Sequence, residues 1–97
     1  MVLGMSVISI NTKPSLMSNC RIIEEKDFGF LYDYGTGTIK FLNMTALQIL
    51  KACDGTNTVE EIVNKLSNAF PDPTRQELEC DISEFIQKAI TMRIVRK

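Results

Sequence analysis

From Asn19 onward the apolar residues fall into short β-rich runs, Cys20 to Glu24, Phe28 to Tyr34 and Thr38 to Leu42, which predict three strands. In the second run Phe28, Phe30, Tyr32 and Tyr34 alternate with Gly29, Leu31 and Asp33. That period of two marks a sheet with unlike faces, and the aromatic stripe is expected to pack on helices. Gly35-Thr36-Gly37 supplies a tight reversal between the second and third runs. Beyond Leu42 the period lengthens. Ala46, Ile49, Leu50 and Cys53 recur at helical spacing, as do Val59, Ile62, Val63 and Leu66, and Leu78, Ile82, Phe85, Ile86, Ala89 and Ile90 form a wider stripe. Each helix therefore offers one apolar face to a shared core.

The helix ends are written in the sequence. Asn43 is a candidate N-cap for a helix over Met44 to Cys53, and Asp54-Gly55 is its stop, with Gly55 suited to a left-handed closing conformation. Thr58-Val-Glu-Glu61 and Thr74-x-x-Glu77 are capping boxes, in which threonine hydroxyl and glutamate carboxylate each satisfy an orphan amide. Residues 1–18 lack helical periodicity and carry Pro14 and several Ser and Asn residues; they read as an N-terminal arm, with Val7, Ile8 and Ile10 able to form a short strand. Residues 19–97 are the domain proper. Three antiparallel strands followed by three helices predict an α+β, winged-helix-like fold with the helices on one sheet face.

At 97 residues and 44% hydrophobic content, the chain can close a single core. A net charge of -1 provides no field for polyanions. Winged-helix binding of nucleic acid, the competing use of this plan alongside a protein–protein adaptor, is opposed by Glu77, Glu79, Asp81 and Glu84 on the last helix. The basic end, Arg93, Arg96 and Lys97, reads as a match to that helix's negative terminus and a solvated tail. Cys20, Cys53 and Cys80 are odd in number, widely spaced and unaccompanied by histidine, so neither a disulfide framework nor a metal site is expected. Cys53 and Cys80 fall in helical segments, where a reduced thiol behaves as a small apolar residue. No nucleophile has an activating partner, which predicts a protein without catalysis or cofactor. The glycines of the hairpin join strands and open no helix, so they form no phosphate loop. No apolar run is long enough to cross a bilayer or to serve as a signal peptide, and a cytoplasmic location is expected.

The stretch from Phe41 to Val63 carries a more specific signal. Leu42, Asn43, Ala46, Ile49, Leu50, Asp54, Gly55, Thr58 and Val59 stand in the order and spacing of PqqD and the related precursor-peptide recognition elements, which the chain resembles. The resemblance runs on through Ala69-Phe70-Pro71 and Asp81-Ile82-x-x-Phe85-Ile86. It ends in Met92-Arg-Ile-Val95, where the family often has a glycine. It implies a domain that binds the leader of a ribosomally made precursor peptide and delivers it to a maturation enzyme, often a radical S-adenosylmethionine enzyme. The hairpin Tyr32 to Phe41 departs from the corresponding stretch of proteins serving pyrroloquinoline quinone synthesis, so the resemblance reaches leader binding and not a named product.

In such domains the leader lies as an added strand along the third strand and against the last helix. Strand order gives an independent reason: with the first strand joined to the second and the second to the third, the third keeps a free side. Thr38, Ile39, Lys40, Phe41 and Leu42 form that edge, with Lys40 its one blunting charge. On the last helix the flank of Asp81, Glu84, Phe85 and Lys88 is expected to be the opposite wall, an apolar anchor beside polar register marks. The alternative cover for the edge is the N-terminal arm or a second copy of the chain in a homodimer.

Overall fold

The computed structural model describes residues 8–69 and 74–97. Its main sheet comprises β2 (Cys20–Glu24), β3 (Gly29–Asp33) and β4 (Thr38–Leu42), antiparallel in the order β2-β3-β4, after a two-residue β1 (Ser15–Leu16). Then come α1 (Met44–Ala52), α2 (Val59–Ala69), α3 (Arg75–Thr91) and a short β5 (Val95–Arg96). The expected plan of three antiparallel strands followed by three helices is thus observed.

The caps operate as their residue types dictate. The Asn43 side chain accepts the Ala46 N–H at 2.8 Å. Thr58 and Glu61 exchange bonds of 2.7 and 3.1 Å. Thr74 and Glu77 form a second reciprocal box. Gly55 closes the turn after α1 with φ +84°. Between sheet and helices lies one core, in which Leu31, Leu47, Ile62, Val63, Ile82 and Ile86 are almost fully buried.

Three expectations need correction. The aromatic stripe of β3 faces away from the helices. Leu31 and Gly29 point inward, level with Cys20, Ile22 and Leu42, while Phe28, Phe30 and Tyr32 remain partly exposed and Tyr34 is exposed. The cause is steric as well as hydrophobic: a Cβ on Gly29 would lie 2.8 Å from the Ile23 carbonyl and 2.9 Å from Leu47 Cδ1, so α1 approaches the sheet only where a glycine stands. Secondly, the strand ahead of the domain is Ser15–Leu16, and Ile8 to Ile10 are not in a strand; Val7 lies outside the described residues. Ile8 and Pro14 are buried, and the segment is tied to the α1–α2 region through Gly55 N–H to Pro14 O, Val59 N–H to Thr12 O and Glu60 N–H to Ile10 O. Two orphan amides at the start of α2 are satisfied in this way.

Thirdly, the basic C-terminus is more than a solvated tail. Arg93 takes φ +61°, and the bonds from Arg93 N–H to Ile90 O and Ile94 N–H to Ala89 O complete a Schellman turn. The chain then returns as β5 to pair with β1, Ser15 opposite Arg96 and Leu16 opposite Val95. Cys53 is buried as expected, whereas Cys80 is exposed. Burial pushes the Cys53 thiol up to about 12, with Asp54 adding to the shift.

Candidate functional site: a cleft between the free edge of β4 and α3

Among the described residues β4 pairs with β3 alone. Which of its backbone groups are free follows from the alternation of an antiparallel ladder. The bonds Tyr34 N–H to Asn19 O and Glu25 N–H to Phe28 O bracket the β2–β3 ladder. The even-numbered residues of β3 therefore bond β2, and the odd ones, 29, 31 and 33, bond β4. Their partners Leu42, Lys40 and Thr38 spend their amides on β3, so Ile39 and Phe41 aim N–H and C=O off the sheet. Side chains alternate in the opposite sense. Ile39 and Phe41 stand on the outer face, 62% and 64% exposed, whereas Thr38, Lys40 and Leu42 lie on the helix side.

Beside this edge a cleft of about 210 Å³ separates β4 from α3. Its floor is Leu31, Leu42, Ala46, Leu50 and Ile94; Phe41 closes the sheet side, Phe85, Ala89 and Met92 the helix side, and Lys40 and Lys88 complete the lining. Phe85, Lys88, Ala89 and Met92 are together because steps of three and four residues return to one helix face. Among the described residues neither lysine takes part in an ion pair; the two pairs present are Lys51–Glu24 and Arg75–Glu79.

Of the residues singled out from the sequence, Lys40, Phe41, Leu42, Phe85 and Lys88 share this cleft. Thr38 and Ile39 lie on β4 nearer the hairpin, outside it. Asp81 belongs to an open hollow at the start of α3 with Thr74 and Glu77, and Glu84 to a second hollow along α3 with Cys80 and Gln87, which Lys88 and Met92 also border. The cleft also uses Leu31, Ala46, Leu50, Ala89, Met92 and Ile94, which sequence reasoning assigned to the core or left unassigned. Met92 alone carried a local signal, being four residues beyond Lys88 on the same face.

The carboxylates with shifted pKa values lie elsewhere. Desolvation works against the Asp33 carboxylate, but hydrogen bonds from the Asn19 side chain, the Gly35 N–H and Thr36 outweigh it and hold its pKa below the ordinary value. Asp54 is likewise lowered, chiefly by the Thr56 hydroxyl at 2.6 Å and the Thr56 N–H at 2.9 Å. Both carboxylates organise turns. Among the described residues no group of three acidic or cysteine side chains could hold a metal ion, and no helix is long and apolar enough to cross a membrane.

Comparison with known families places the chain. Residues 29–95, from the start of β3 into β5, match the family model of coenzyme PQQ synthesis protein D (PqqD). The chain belongs to the PqqD family. Consistent with membership, it is 39% identical over 66 residues to the PqqA binding protein of Acinetobacter baylyi, the match covering 68% of this chain and 64% of that protein's length. The fold is shared with TbiB1, solved in complex with the TbiA(beta) leader peptide: TM-score 0.75 at 18% identity, covering 84% of this chain and 93% of that one. The family match includes the whole of β4, α3 and the cleft between them.

Proposed function

We propose that this protein is a non-catalytic module that captures the leader of a ribosomally synthesised precursor peptide as an additional strand on β4, against α3, and presents it in the cytoplasm to a modifying enzyme, of the radical S-adenosylmethionine class. The observation that carries this reading is the coincidence of a strand edge that is unpaired among the described residues, its Ile39 and Phe41 amides aimed outward, with an apolar cleft between that edge and α3. Main-chain bonds at the edge supply sequence-tolerant affinity, and the cleft selects side chains at alternate positions. Membership of a family with a PqqA binding protein supports the same use. A role without chemistry fits a chain that has no histidine and whose Cys20 and Cys53 thiols are held protonated.

Proline substitution tests the mechanism, because it removes one amide at a time. Calorimetric titration with synthetic peptides from short reading frames beside the gene should yield a binding peptide. Ile39→Pro and Phe41→Pro should abolish its binding with the fold retained by circular dichroism. Undiminished binding by both folded variants refutes strand addition at β4.

A further inference from the structure

The cleft is apolar except at Lys40 and Lys88, one on each wall, and among the described residues no carboxylate lines it. Glu84, one turn before Lys88, lines a neighbouring hollow along α3 that Lys88 and Met92 also border, and among the described residues it makes no ion pair with Lys88. Two ammonium groups over an apolar floor, in no ion pair with an acid among the described residues, form an incomplete charge arrangement that a ligand can complete.

Strand geometry says where the ligand's charge would fall. A strand added to β4 bonds Ile39 and Phe41, and its residues level with those two lie on the outer face. Residues level with Lys40 and Leu42 turn inward, two positions apart in the ligand, toward α3. The inward residue nearest Leu42 lies over the floor of Leu42, Ala46 and Ala89, against Phe85. That position suits one aliphatic or aromatic side chain, a volume the cleft of about 210 Å³ can take. The next inward residue stands opposite Lys40, and Lys88 lines the same cleft from the helix. The residue between them lies outward, beside the exposed rings and branched chains of Phe41 and Ile39.

We infer that Lys40 and Lys88 are specificity-determining residues that select a peptide strand with an apolar anchor and, two positions away on the same face, an aspartate or glutamate. This rests on the strand-addition reading above and adds the side-chain chemistry it would read. A carboxylate there gains a cross-strand partner in Lys40 and a second cation in Lys88, and a lysine or arginine there meets two like charges.

Both lysines are exposed, so their replacement leaves the core intact. The probe is a phage library of random twelve-residue peptides, selected against the parent protein, Lys40→Glu/Lys88→Glu, and separately Ile39→Pro and Phe41→Pro, each checked for folding by circular dichroism. The parent should enrich peptides with an acidic residue two positions from an apolar one, and either proline should lose them. The double charge reversal should bind those peptides roughly three- to tenfold more weakly at low salt, less so at high salt, and should enrich a basic residue at the acidic position. Proline-sensitive peptides with no acidic preference, or with a preference unchanged by the charge reversal, overturn the inference and leave strand addition standing. A library that yields no proline-sensitive peptide overturns strand addition, and this inference with it.

Discussion

Arg93 shows how a single φ angle carries a prediction. It sits at φ +61° in the closing turn of α3, a conformation in which an L side chain is strained and glycine is not. Arg93→Gly should raise stability by about 0.5–1 kcal/mol, read as a higher thermal midpoint. Gly29 is the converse: Gly29→Ala sets a methyl against the Ile23 carbonyl and Leu47 and should cost about 1–3 kcal/mol. The thiols divide by burial. Iodoacetamide should alkylate Cys80 in the folded protein and reach Cys20 and Cys53 only on unfolding, as mass spectrometry of the digested protein would show. For Asp33 and Asp54, lowered folded pKa values mean that their stabilising contribution is complete above the unfolded carboxylate pKa near ~4 and is lost as pH falls through the folded values. A carbon-detected NMR titration should show both titrating below the range of a free aspartate.

At the scale of elements, β4 divides its labour by parity. Thr38, Lys40 and Leu42 bond β3, and Ile39 and Phe41 present backbone outward and side chains to the outer face. That face holds a Phe28, Phe30 and Phe41 cluster with ring centroids 5.6 to 6.1 Å apart, open to solvent although aromatic. Substitution should reveal the asymmetry. Ile39→Ser removes a side chain that is 62% exposed and should change stability by less than about 1 kcal/mol. Leu31→Ala, one strand over on the buried face, should cost about 2–5 kcal/mol in denaturant unfolding. Equal costs would mean that the outer face is packed rather than open.

Across the whole molecule, the two chain ends lock the domain. β1 pairs with β5, and Leu16 N–H bonds Cys53 O while Met17 N–H bonds Ile94 O, joining the N-terminal segment to the end of α1 and to the turn after α3. Removing residues 1–16 would strip the buried Ile8 and Pro14, β1, and the carbonyls that cap α2. The shortened protein should lose at least about 3 kcal/mol, a fall in thermal midpoint of more than about 10 °C. Unchanged melting would show that the segment adds nothing to the fold.

What could be read from the chain alone was whatever depends on neighbours three or four residues apart. The Asn43, Thr58 and Thr74 caps and the Gly55 stop are of this kind, since side chain and amide meet within one turn. The three strand centres and the third strand's single neighbour among the described residues were equally legible, because hairpin connections leave the last strand one neighbour. Which face of β3 turns inward was not, for aromatic content argued one way and the close approach of Leu47 to Gly29, eighteen positions apart, decided the other. Nor could the pairing of Ser15–Leu16 with Val95–Arg96 be read, since two-residue strands carry no periodicity and owe their order to packing. The cleft combined both sources. Lys40, Phe41, Leu42, Phe85 and Lys88 stood out as an edge and a helix flank, but Leu31, Ala46, Leu50, Ala89 and Ile94 join them only where sheet and helices converge, because a cavity floor is made by residues that look, one by one, like core.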